Sequence, residues 1–123
     1  GILVHMNARV ELPQPVTRAT VEWAYREARI AQRTRNERVQ LIGQRAAKAR
    51  DPKILRVLEE GATVLRAMSE DQLGPHGMDV GGLRVSATEY NLWREAYKAA
   101  DEGQHLPQLQ WIYAAAALLA GLA

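Results

Sequence analysis

The chain has 123 residues, of which 47% are hydrophobic and 24% charged, with a net charge of +2 and no cysteine. That length suits one domain with its own core, the composition lies far from the signature of disorder, and the missing thiols exclude disulfides, thiolate nucleophiles and zinc–thiolate sites. The charge is lopsided: residues 1–56 carry twelve Lys and Arg against five Asp and Glu, whereas residues 57–123 carry four against nine, which points to an anionic partner for the first half or to a contact between the two halves.

Residues 1–5 precede Met6 and read as a vector remnant, leaving 6–123 as a single all-helical domain. The stretch up to Val10 lacks the basic start, long apolar run and small-residue cleavage site of an export signal, so a cytoplasmic protein is expected. Nothing reads as a run of alternating, β-branched residues, whereas helix start and stop signals recur. The expectation is an all-α bundle of about five helices.

The first helix is expected over about 17–33. Thr17 caps it, Val16 and Val21 form a hydrophobic staple, and Val21, Ala24, Tyr25, Ala28 and Ala31 share one face. A second helix is expected over about 35–50, started by a capping box of Thr34 and Glu37 and bearing Val39, Ile42, Ala46 and Ala49 on one side. The alternative is that these two are one long helix. Asp51-Pro52 opens a third, over about 52–68, with Asp51 as N-cap and Pro52 at the tolerated first position. Its apolar stripe is Ile54, Leu55, Leu58, Ala62, Leu65 and Met68, and Gly61 beside the stripe leaves room for another helix to come close.

Gly74-Pro75-His76-Gly77 and Gly81-Gly82 break regular structure, predicting a Gly-rich loop at about 74–84. Val85-Ser86, followed by Glu89 and Tyr90, combines a staple with a capping box and sets the start of a helix over about 87–102, buried through Trp93, Ala96, Tyr97 and Ala100. The last helix, about 107–121, has no polar face after Gln110 and must be covered on several sides. Its apolar run falls short of the roughly 20 residues of a membrane span, so an oligomer interface or a central core helix is expected and no membrane contact.

The most informative set of side chains is an arginine stripe. At about 100° per residue, Arg18, Arg26, Arg29 and Arg33 project into one sector of the first helix, and Arg38 and Arg45 extend the basic character into the second. Guanidinium forks suit phosphate oxygens, so a row of them is able to follow a nucleic-acid backbone. The plainer reading is a solvated face in which the arginines pair with carboxylates at helical spacing, such as Glu22 with Arg26. Trp23 and Ile30 lie off the alanine face and are exposed if the helix packs only on that side; with Trp111, Ile112, Leu118 and Leu119 they are the expected oligomer or partner interface.

Other constellations carry less. A helix-turn-helix around Gln44 to Leu58 is poorly supported, because Ile54, Leu55 and Leu58 leave its second helix few groups for base edges. His76 with Asp71 and Asp79 lacks metal-ligand spacing, and His105 is explained by a helix end. No nucleophile, base and orienting group stand out, so no enzyme, cofactor or metal is expected. The leading expectation is a self-associating, non-enzymatic accessory or structural subunit whose arginine stripe binds nucleic-acid phosphates. The alternative is a protein-interaction module, an inhibitor, adaptor or dedicated chaperone, that presents the basic first helix and Trp23 to an acidic protein surface.

Overall fold

The structure, a computed structural model, describes residues 11–12 and 15–103, the side chains of Val39, Gln40 and Asp71 excepted. The expectations for residues 1–5, for His105 and for a helix at 107–121 with Trp111, Ile112, Leu118 and Leu119 lie outside this range. Within it the chain is mostly helical, with four helices and one two-stranded sheet.

Helix α1 spans Arg18–Thr34. Thr17 caps it: its hydroxyl accepts from the Thr20 amide, and the Thr20 hydroxyl accepts from the Thr17 amide at 3.1 Å, so a Thr takes the place usually held by Glu or Gln in a capping box. The buried residues are Val21, Ala24, Tyr25, Ala28 and Ala31, the face the periodicity predicts. At the other end Arg35 turns left-handed (φ 52°), and its amide and that of Asn36 reach back to Gln32 O and Ala31 O. This paired closure of the last carbonyls ends the helix, so α1 and α2 are separate. Thr34 is not an N-cap; it is the last residue of α1, and its hydroxyl donates to Ile30 O at 2.8 Å.

Helix α2, Glu37–Lys48, closes by the same device at Arg50 (φ 52°), with the Arg50 and Asp51 amides donating to Ala47 O and Ala46 O. Asp51 then starts α3, Pro52–Gln72, accepting from the Lys53 amide at 2.9 Å. Helix α3 runs about a turn beyond the expected end and buries Ile54, Val57, Leu58, Leu65 and Met68.

The segment expected as an irregular Gly-rich loop contains order. Gly74 and Gly77 exchange backbone hydrogen bonds across Pro75-His76, and strands β1, Met78–Val80, and β2, Leu83–Val85, pair antiparallel with Val80 opposite Leu83. Gly81 (φ 57°) and Gly82 (φ 84°) form the two-residue link, and positive φ at both positions is what a right-twisted hairpin requires there. Met78, Val80 and Val85 point into the core. Helix α4, Ala87–Asp101, starts at Ser86, whose hydroxyl accepts from the Glu89 amide while the Glu89 carboxylate accepts from the Ser86 amide.

The centre of the fold is the packing of α3 on α4, with α1 and β1 laid against α3 and α2 against α4. Trp93 is fully buried there, and its indole N–H donates to Leu58 O at 2.9 Å. Gly61 faces this ring so closely that a methyl group would overlap the indole. Tyr25 of α1 tilts against Trp93 with ring centroids 5.6 Å apart and donates its hydroxyl to Glu89 O at 3.1 Å. An aromatic pair of this kind adds about 0.5–1.5 kcal/mol beyond its buried area, and this one pins α1 to α4.

Candidate functional site

The arginine stripe of α1 divides into two kinds of side chain. Arg26 is bound to Glu22 one turn earlier, the i, i+4 pairing that the plainer reading anticipates. Arg29 is tied across the fold. Its Nε and Nη2 donate to the two carboxylate oxygens of Glu89 at 2.9 and 2.8 Å, and Nη2 also donates to the carbonyl of Arg84. One guanidinium thus ties α1 to β2 and to the first turn of α4.

Glu89 is accordingly a shared node. Burial pushes its carboxyl upward, but hydrogen bonds from Arg29 and the Ser86 amide, together with the Arg29 charge, outweigh burial and hold it below its ordinary value of 4.5. The carboxylate form is the one the fold uses.

The remaining cations of α1, of α2 and of the turn between them face solvent. Arg18 and Arg33 on α1, Arg35 at the turn, and Arg38, Arg45 and Lys48 on α2 are exposed, and among the described residues none of these six enters an ion pair. Arg50, by contrast, reaches Asp101 of α4 at 3.7 Å.

The large exposed hydrophobic side chains of the described region are interleaved with these cations. Trp23 is 37% exposed, Ile30 43% and Leu41 54%. Arg26 and Arg33 follow Trp23 and Ile30 at i+3, while Arg38 and Arg45 flank Leu41 at i−3 and i+4, so each apolar side chain has an arginine one turn away. Trp23 and Ile30 follow from the sequence, since both lie opposite the alanine face. Leu41 is missed there because Ile42 beside it takes the inward position.

Elsewhere the geometry is less directed. A groove of ≈ 620 Å³ between α3 and α4 mixes Glu59 and Glu95 with Arg66, Arg94 and Lys98. Burial, then the charges of Glu59 and Asp101, push the Tyr97 hydroxyl there above its usual value. His76 is exposed in its turn, and among the described residues no three His, Cys, Asp or Glu side chains gather as a metal site. The second helix of the sketched helix-turn-helix, α3, has Ile54, Val57 and Leu58 buried, with Arg56 paired to Glu60. Among the described residues no helix is long and apolar enough to cross a membrane.

No protein-family model, curated protein or solved structure matches this chain.

Proposed function

We propose that the protein is a non-enzymatic accessory or structural subunit that binds nucleic-acid phosphates with the solvent side of α1 and α2. The observation that carries this reading is the group of six exposed cations, Arg18, Arg33, Arg35, Arg38, Arg45 and Lys48, left without ion pairs among the described residues while Arg26 and Arg29 are engaged by Glu22 and Glu89. Exposed, unpaired cations on two consecutive helices suit an array of phosphates, whose neutralisation releases the counterions condensed on the nucleic acid. The phosphate-binding set therefore differs from the one expected: Arg18, Arg33, Arg38 and Arg45 remain in it, joined by Arg35 and Lys48, whereas Arg26 is paired with Glu22 and Arg29 serves the fold.

Self-association through the apolar run that includes Trp111, Ile112, Leu118 and Leu119 belongs to the same proposal and rests on the sequence alone. Size-exclusion light scattering on nuclease-treated protein, with and without a labelled oligonucleotide at low and moderate salt, tests both parts. An oligomer that shifts with the oligonucleotide and releases it at higher salt supports the proposal. A particle indifferent to nucleic acid contradicts phosphate binding.

A second reading is favoured by Trp23, Ile30 and Leu41, because exposed apolar anchors rimmed by arginine are also the composition of a protein-binding surface. A stoichiometric protein partner that survives nuclease treatment, with Trp23 and Leu41 required for its capture, would replace the first reading by this one.

A further inference from the structure

The nucleic acid that fits the α1 face is a single strand, with a base stacked on Trp23; we infer this from the way apolar and cationic side chains alternate there, and the inference rests on the phosphate-binding reading. A duplex offers a wall of phosphates and keeps its bases stacked inside. Against that wall Trp23, Ile30 and Leu41, at 37%, 43% and 54% exposure, gain nothing and stay in water. A single strand presents unpaired π-faces between its phosphates, so the same apolar side chains become contacts.

The spacing along α1 suits this alternation. Trp23, Arg26, Ile30 and Arg33 recur at intervals of three, four and three residues, which places them along one side of the helix over about 15 Å. The indole is partly covered and partly open on a regular helix. Arg26 is held by Glu22, so the cation left for the strand on this side is Arg33, one turn beyond Ile30, and an apolar platform beside an unpaired cation is what single-strand stacking requires.

The face is also sparsely equipped to read a duplex, with Arg33 suited to guanine edges but Arg26 held by Glu22. No Asn or Gln accompanies Trp23, Arg26, Ile30 and Arg33 on it, and those are the residues that pair with adenine edges in the major groove. Nor is α3 free to act as a recognition helix, since Ile54, Val57, Leu58 and Leu65 are buried. Binding without strong sequence preference to an unpaired strand fits these side chains best.

Fluorescence anisotropy with a labelled oligothymidylate of about 16 nucleotides, a length within the span of single-strand sites, and with a duplex of equal length tests this at low salt. The expected result is tighter binding of the single strand. Trp23→Ala should weaken it roughly tenfold or more, Trp23→Phe should retain most of it, and neither should move duplex binding. Equal affinity for the two forms, or single-strand binding unchanged in Trp23→Ala, overturns the single-strand inference and leaves phosphate binding standing. No binding of either form overturns both. Because Trp23 is a surface residue, circular dichroism of both variants should match the parent; if Trp23→Ala alone loses helix, the comparison of single strand with duplex on the unaltered protein still decides.

Discussion

Arg29 and Glu89, sixty residues apart, share two hydrogen bonds of 2.9 and 2.8 Å, and the same carboxylate accepts from the Ser86 amide that starts α4. A single ion pair therefore couples the helix bearing the candidate interface to the start of the helix that buries Trp93. Replacing Arg29 by Ala should destabilise the fold by about 1–2 kcal/mol, since it removes charge-assisted bonds and leaves a half-buried carboxylate short of donors. Arg33→Ala, an exposed change on the same helix, should stay within about 0.5 kcal/mol. Urea titration of the two variants reads the difference.

The pH dependence follows from the same pair. The Glu89 carboxyl lies below its ordinary 4.5 in the folded protein, so between the two values the folded state binds fewer protons than the unfolded one. Its contribution is complete above the unfolded value and is lost as pH falls through the folded value. Stability should drop on acidification below about 4.5. Glu89→Gln keeps a capping-box side chain but has no carboxyl to protonate, and should make that acid limb shallower in a series of thermal melts.

The contact of Gly61 with the Trp93 indole predicts a steric penalty. Gly61→Ala should cost about 1–3 kcal/mol despite the better helix propensity of alanine. Trp93→Phe should cost stability through a void and the lost bond to Leu58 O, yet the double variant should be less destabilised than the two single effects added. Chemical denaturation of the four proteins forms the cycle.

The glycines of the hairpin should not be equivalent. A side chain at Gly77 (φ 91°) meets the backbone of Val85 and Ser86, whereas one at Gly82 (φ 84°) meets open space. Gly77→Ala should lose about 2 kcal/mol or more, and Gly82→Asn about 1 kcal/mol or less, because Asn tolerates the left-handed region. Thermal melts with amide exchange at Met78 to Val85 separate the two cases.

Much of this architecture is legible in the sequence because it is local. Thr17, Asp51-Pro52 and Ser86 with Glu89 mark helix starts through contacts spanning two or three residues, and the buried faces of α1 and α3 follow from helical periodicity. Gly61 is legible as a point of close approach. The hairpin is harder to read: each strand is three residues long, too short for an alternating run, although Gly-Gly between Met78-Asp79-Val80 and Leu83-Arg84-Val85 is a hairpin signal. The break between α1 and α2 is expected from the sequence, but the way it is made is hidden, because an arginine, not a glycine, holds the left-handed position at Arg35. Of the candidate site, the arginines and Trp23 with Ile30 are legible, but which arginines are engaged is not. Glu22 meets Arg26 at a helical spacing visible in the chain, whereas the claim of Glu89 on Arg29 exists only once α1 and α4 are packed together.

Phosphate binding by the exposed cations is tested most directly by the salt dependence of single-strand affinity in the parent protein and in a variant with Arg33, Arg38 and Arg45 all changed to Ala. These residues are exposed and unpaired among the described residues, so the variant should fold as the parent does. If they contact phosphates, log K should fall linearly with log salt in the parent, and the variant's slope should be shallower by about 2, near 0.7 for each contact removed. A variant with the parent's slope and affinity would contradict the assignment of these arginines to nucleic-acid phosphates.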